Sequence, residues 1–557
     1  MRTSDSSRRA LLAAVVFLAA FLAVAATVRD PGLTWDESIY FGRAARLVGW
    51  FQSIGSGAFQ KEALLRAWWS ADHPPLGSLW IAGSFALFGS LPMITAARLG
   101  AAALFALAAM TIFLWVSRRR SRGEALLAAA LFALMPRLFA HGHFANLEMM
   151  TLLLWTLTVV AFEKGIESRR WSALAGLFFG LSLLTKINGA FLPFLLVPWG
   201  LIFHGRKSLR NVAMMALMGP LIFLAGWPVM WVEPLGAIKA YLANKGAQRM
   251  ILPVEYLGQV YRDRFAPWHY PFVMMLVTTP LVALIGAAAG GWDHLRRLRR
   301  QFRSSAHEAL LLWAFLFPVL LLAFPGAPKY DGIRLMLPAY PFLAILAARG
   351  LALIWERLRA RAGSDVAANE EPTLRRQVRT AHRFVRTFAR FPHGAAELRA
   401  RALRVAAAGL AAAGILVPVV LFHPYQLSYY NALAGGPWGA RRLGFETTYW
   451  DDTFDAKALA YLNNNVPQGG KVAFVAMGDF VWQIYQINRE ARADIAVAEF
   501  EGGGWDYLVV IPRQGWWTDS EREFIRTHEP VWTNTLTRWD RLPVCMIFKR
   551  TERTLGP

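Results

Sequence analysis

The sequence predicts an α-helical polytopic membrane protein with a small α/β domain at its C-terminal end. Three observations predict it. Of the 557 residues, 55% are hydrophobic, and the mean hydropathy is +0.33, too apolar for one soluble domain and long enough for many spans. The apolar residues gather into runs near the length that a hydrocarbon core of about 30 Å requires of a helix. The net charge of +23 comes from short arginine runs between those segments, the pattern of cytoplasmic loops, so nucleic acid is not the implied partner. The single cysteine, Cys545, excludes an internal disulfide. The 23 tryptophans suit the aromatic belts of a membrane interface.

In chain order, spans are expected over 10–28, 93–116, 124–140, 147–162, 171–184, 187–203, 212–231, 271–290, 310–324, 335–355 and 403–422, about eleven in all. The first follows Arg8 and Arg9 and ends in "AVAAT", as a signal peptide would, but its length favours an uncleaved anchor. With this alternation, five basic groups fall on one side: Arg8 and Arg9; Arg118, Arg119, Arg120 and Arg122; Lys164, Arg169 and Arg170; Arg206, Lys207 and Arg210; and Arg296, Arg297, Arg299 and Arg300. The positive-inside rule makes that side, and the N-terminus, cytoplasmic. Counting the apolar stretch 76–91 as a span would invert every later loop, so it is read as an interfacial or re-entrant helix. The arginine-rich loop 356–402 contains "TLRRQVRTAHRFVRTFARF", in which Val378, Phe384, Val385 and Phe388 form a rough helical apolar face suited to an anionic leaflet.

After residue 422 the pattern turns mixed. A helix is expected over 454–462, strands at "KVAFVAM", "DYLVVIP" and "PVCMIFK", and a helix at "SEREFIRTH". The chain thus divides into a membrane domain, 1–422, and an extracytoplasmic α/β domain, 423–557. No repeat of fixed period is visible.

The same topology sends "TWDES", "DHPPLG", "HGHFANLE", "TKING" and "KYDGIR" to the outer face. An acid pair, a further acid, a lysine and an arginine drawn to one interface make a candidate reaction site. Each has a plainer reading too. Asp36 suits the cap of a helix starting near Ser38, and Glu148 suits the N-terminus of a span. Lys186 can snorkel, Arg334 can pair with Asp331, and the prolines after His73 set a turn. Arg98 and Arg137 read as snorkelling residues. No Gly-rich phosphate fingerprint, zincin or nucleophile-elbow motif is present.

The Asp-Glu pair before a tyrosine in the first loop, the "HPPLG" turn, the "LTK" after the fifth span and "HPYQLSYYNALAGG" resemble the GT-C superfamily of integral membrane glycosyltransferases. The nearest resemblance is to the protein O-mannosyltransferase and lipid A aminoarabinose transferase families, over residues 33–436. It implies transfer of a sugar, with inversion, from a polyprenyl-phosphate carrier to an acceptor hydroxyl of a protein, lipid or glycan, at the outer face of the cytoplasmic membrane. It further implies Asp36 as general base, Glu37 as its support or an acceptor contact, and Glu148 at the family's second acidic position, which is often aspartate. Lys186 and Arg334 would meet the phosphate, and His73 stands where relatives carry histidine or lysine. Tyr40 and His143 complete the substrate-facing set. A divalent metal on His141 and His143, with Glu148 and Asp36 near, is the one cofactor suggested. The rival reading, a transporter or flippase of lipid-linked sugars, calls for inverted repeats and midplane charges, which the sequence lacks.

Overall fold

The computed structural model describes residues 2–246, 250–377, 393–537, 539 and 541–550. Six stretches are long and apolar enough to cross a membrane: Asp5–Ala25, Met93–Val116, Ile187–Ala225, Ala306–Ala323, Arg334–Ala360 and Arg404–Leu421. Two bent helix pairs, Arg122–Ala133 with Pro136–His143 and Tyr270–Thr278 with Leu281–Arg300, bring the total to eight among the described residues, against about eleven expected. The other expected spans are present as helices that length and composition alone do not count as separate crossings. Glu148–Gly165 carries three charges (Glu148, Glu163 and Lys164) in its 18 residues. Arg169–Leu183 has only 15 residues, about 22 Å of helix. Ile187–Ala225 spans 39 residues, far longer than one crossing needs, and it folds back on itself at Gly205, where φ is +53°. The reversal follows from packing: Gly176 faces Met214 and Met218, Gly180 faces Ile222, and Gly226 faces Leu184. Helices Arg169–Leu183 and Leu209–Ala225 therefore run in the same direction, and Leu192–His204 between them runs back.

The helix Leu76–Leu87 has 12 residues, about 18 Å, too short to cross. It packs on Trp35–Gln52 and Met93–Val116, in keeping with the interfacial reading. Burial separates centre from rim: 72% of the Met93–Val116 window and 78% of Arg334–Ala360 are buried, but 17% of Asp5–Ala25 and 11% of Arg404–Leu421. The last two present their apolar faces outward, as lipid-facing helices do. Two helices approach closely at "GAAAG": a Cβ at Gly290 would overlap the Leu346 carbonyl, and one at Gly350 would overlap that of Gly286. Small residues spaced by four let these two backbones touch.

The basic loops converge at one end of the bundle. Arg122 pairs with Asp5, Arg119 with Glu163 at 3.2 Å, and Arg349 with Asp293 at 3.1 Å. Arg210 donates to the Gly165 carbonyl at 2.6 Å. Glu148, Arg98 and Arg334 lie at the opposite ends of helices that finish in this arginine-rich layer. The candidate face expected at 378–388 lies outside the described residues.

A hairpin of β1 (Pro253–Tyr256) and β2 (Gln259–Arg262) turns through Leu257 and Gly258, both at positive φ, the geometry of a tight two-residue hairpin. The C-terminal sheet contains β3 (Lys471–Val475), β4 (Ala496–Val497), β5 (Tyr507–Val510), β6 (Trp532–Thr535) and β7 (Pro543–Lys549), in the order β4-β3-β5-β7-β6. Strands β4, β3 and β5 are parallel; β7 runs antiparallel to β5 and β6. The three apolar strands read from sequence are β3, β5 and β7, and the expected helices appear as Ala456–Asn465 and Asp519–Thr527. The polar "WTNT" of β6, the two-residue β4 and the helix Asp479–Ile487 were not anticipated. Backbone ties fasten the first loop to this domain: Gly32 N–H donates to the Asp452 carbonyl at 2.7 Å, and Leu33 N–H to the Tyr485 hydroxyl at 2.7 Å.

Candidate active site

Asp36 stands in the first turn of the helix Trp35–Gln52, whose start is fixed by a capping box. Thr34, not Asp36, is the cap: its Oγ1 accepts from Glu37 N–H at 3.4 Å, while Glu37 Oε2 accepts from Thr34 N–H at 3.0 Å. Such reciprocal bonds satisfy two helix-end donors at once. Glu37 is fully buried. Its carboxylate takes Arg98 Nε at 2.8 Å and Nη2 at 2.9 Å, and Ala145 N–H at 3.0 Å. Arg98 spends its remaining donors on the carbonyls of Val28, Pro31 and Gly32 at 2.7 to 3.0 Å. Adjacent helical residues diverge by about 100°, so Glu37 turns into the protein while Asp36 turns to the cavity. The support expected of Glu37 therefore reaches Asp36 through the helix start, and Glu37 is absent from the cavity lining. Arg98 is a structural partner of this loop, not a snorkelling side chain.

Arg334 is the hub. It opens a short 3-10 helix after the turn Asp331–Gly332, both at positive φ, which aspartate and glycine tolerate better than bulkier residues. Its guanidinium pairs with Asp36, donates from Nε to Glu148 at 2.8 Å and from Nη1 to Asp331 at 2.8 Å, and lies under the Trp450 ring with its carbon 4.5 Å from the centroid. Lys186 Nζ reaches the same Glu148 oxygen at 3.0 Å. Arg513, which follows β5, donates to the other oxygen of Asp331 at 2.7 Å. Asp36, Glu148, Lys186 and Arg334, from four distant segments, are thus joined in one hydrogen-bonded network. Such a buried network holds its geometry because every charge has a counter-charge within contact.

Above it opens a cavity of about 280 Å³ whose walls include Asp36, Tyr40, Arg43, His73, Arg334 and Arg513. Glu148 and Lys186 form the layer beneath, outside the lining set. Burial pushes the Asp36 carboxyl above its usual range, against the pull of Arg334. Burial and the cations around it hold His73 well below the ordinary imidazole range, so it is neutral.

His143 sits elsewhere. Its Nε2 pairs with Thr27 Oγ1 at 2.9 Å and its Nδ1 with the Phe139 carbonyl at 2.9 Å, and it does not line the cavity. His141 instead meets the Tyr449 hydroxyl at 3.3 Å. The two histidines thus point to different partners. Among the described residues no three His, Cys, Asp or Glu side chains gather as a metal site, so the donor set does not suit the divalent ion considered from sequence. Sequence reasoning missed Arg513, Trp450 and Trp516. The available signal for Arg513 was a cation directly after the apolar strand "DYLVVIP".

Residues 72–231 match the family described as dolichyl-phosphate-mannose-protein mannosyltransferase. That segment holds His73, Glu148 and Lys186. Among curated proteins no sequence matches the chain. Among solved structures, ArnT from Cupriavidus metallidurans in the apo state is 18% identical with a TM-score of 0.51, covering 99% of this chain and 100% of that one. The same protein bound to undecaprenyl phosphate gives 17% and 0.48, covering 98% and 99%. The oligosaccharyltransferase AglB from Archaeoglobus fulgidus, in complex with an inhibitory peptide and a dolichol-phosphate, gives 13% and 0.48, covering 90% of this chain and 69% of that one. The likeness to apo ArnT covers 99% of the chain, and the chain shares the fold of that structure.

Proposed function

On that fold, we propose that the chain is an inverting glycosyltransferase that moves a sugar from a polyprenyl-phosphate carrier to an acceptor hydroxyl. What carries the reading is the network of Asp36, Glu148, Lys186 and Arg334 beneath one cavity, at the end of the bundle opposite the arginine-rich layer. By the positive-inside rule that layer is cytosolic, so the reaction face, residues 423–557 and the acceptor lie on the outer side of the inner membrane, and the N-terminus lies inside.

A lipid phosphate leaves readily, so no general acid is required. The acceptor oxygen attacks the anomeric carbon from the face opposite the phosphate, its proton passes to Asp36, and the bond from carbon to phosphate oxygen breaks, leaving the carrier as a phosphate monoester with one more negative charge. Arg334, fixed by Glu148 and Asp331, receives that charge through charge-assisted hydrogen bonds. A phosphate drawing on Arg334 competes with Asp36 for the guanidinium, which frees the Asp36 carboxylate as a base only once donor is in place. Lys186 stabilises Glu148 and adds positive potential from beneath. Tyr40 and His73 shape the donor wall, and no step is routed through a metal.

The test is to incubate the purified protein in a bilayer with a panel of polyprenyl-phosphate sugars and measure released carrier phosphate. Release with at least one donor by the wild type, slowed at least about 100-fold in Asp36→Asn, supports the reading; absence of release with every donor sinks it.

A further inference from the structure

A second concavity opens beside the first. It has a volume of about 400 Å³ and is lined by Trp35, Met477, Asp479, Phe480 and Trp516 among others, a size within the range of about 300–1,000 Å³ usual for small-molecule sites. Trp35 and Trp516 line both spaces, so the cleft adjoins the chamber that holds Asp36. Its position follows from the sheet. The chain leaves β3 through Ala476–Phe480 toward β4 on one side, while β5, whose exit leads to Trp516, lies on the other. The cleft therefore sits outside the carboxyl ends of two parallel strands at a reversal of strand order, where open α/β sheets bind their ligands.

The lining chemistry is specific. Trp35 and Phe480 meet edge to face with centroids 4.5 Å apart, and Trp35 and Trp516 are tilted at 6.0 Å, leaving ring surface turned to the cleft. Arg513 stacks on the Trp516 ring at 4.4 Å. Asp479 offers an exposed carboxylate at the rim. Aromatic faces carry partial negative charge and attract weakly positive C–H groups, while a carboxylate at the rim accepts from hydroxyls. A pyranose ring presents both: an apolar C–H face and a fringe of hydroxyls.

We propose that this cleft is the acceptor subsite and that the acceptor is a glycan, one sugar ring stacking on the aromatic wall of Trp516, Trp35 and Phe480 with a hydroxyl on the Asp479 carboxylate. The proposal rests on the glycosyl-transfer reading above, and it adds the acceptor's class. Stacked there, the glycan lies beside the chamber that Asp36 lines, with Trp35 and Trp516 as the wall shared by the two spaces.

The experiment is saturation-transfer difference NMR on the full chain in nanodiscs free of glycosidic detergent. The probes are mannotetraose, cellotetraose and chitotetraose, each free and as its octyl glycoside, together with a serine- and threonine-rich peptide. The expected result is transfer to ring C–H protons of at least one saccharide, with a dissociation constant about ten-fold weaker in Phe480→Ala and restored in Phe480→Trp. Asp479 is exposed, so Asp479→Asn weakens binding several-fold without disturbing packing. Preference for the octyl form identifies a glycolipid acceptor, and equal binding of both forms a free glycan. No transfer to any saccharide, or binding untouched in both Phe480→Ala and Asp479→Asn, overturns the subsite, as does binding of the peptide that is lost in the same variants. Carrier release by the wild type is scored separately: saccharide binding without donor turnover removes the transferase reading and leaves the glycan site standing.

Discussion

Arg98→Met puts the first loop's construction to a quantitative test. All five guanidinium donors of Arg98 are engaged, two by Glu37 and three by the carbonyls of Val28, Pro31 and Gly32. Methionine keeps the bulk and removes every donor, so Glu37 becomes a buried carboxylate without a counter-ion. Breaking a buried pair in this way costs about 3–5 kcal/mol, and each stranded carbonyl adds up to about 1–3 kcal/mol where water cannot reach it. The expected loss is therefore at least about 3 kcal/mol, within the range for a broken buried pair. Arg98→Met with Glu37→Met removes the orphaned charge and should recover part of that loss, leaving the unmet N–H groups of Thr34 and Ala145 and the carbonyls of Val28, Pro31 and Gly32. The assay is reversible unfolding in an SDS titration, run as a double-mutant cycle in a bilayer mimic. A single-variant cost below about 1 kcal/mol, or strictly additive costs, would refute the claim that this pair builds the loop.

Asp36→Asn should lower the rate of transfer by about 10² to 10⁴, the usual worth of a general base, while donor binding measured by calorimetry changes little. Because burial raises the Asp36 carboxyl and the base acts only when ionised, kcat/KM should fall as pH drops through that raised value, above the ordinary carboxylate range. Arg334→Met should move this acid limb to still higher pH by removing the opposing cation, and a limb that stays in place would dissociate the two groups. Gly290→Ala should destabilise the bundle by about 1–3 kcal/mol, the typical cost of overpacking, because its Cβ meets the Leu346 backbone; the unfolding titration reads it.

Charges beside apolar runs were legible because they are expensive there: Asp36, Glu148, Lys186 and Arg334 each stood out against a neighbouring span, and the structure brings all four together. The loop geography was legible through arginine, and the arginine-rich ends do meet. Glu37 misled because its partner, Arg98, stands 61 positions away. The signal nevertheless existed, since "TWDE" is a capping-box pattern. His143 was grouped with the substrate-facing set, yet helix Pro136–His143 turns it toward Thr27. Arg513 was missed for a different reason: it acts across 182 positions, and in a soluble-looking domain a cation after an apolar strand carries no comparable cost signal. Short or polar strands such as β4 and β6 escaped because alternation cannot be read in two residues or in "WTNT".

One contact couples the two halves of the molecule more tightly than their compositions suggest. Asp331, which steadies Arg334, is itself gripped by Arg513 from beyond the sheet. A truncation after the last span would thus leave the chemistry incomplete, and a chimera carrying a foreign tail would work only if the graft restored an arginine at that spot. The tail and the membrane part must be inherited, exchanged or engineered as a matched set.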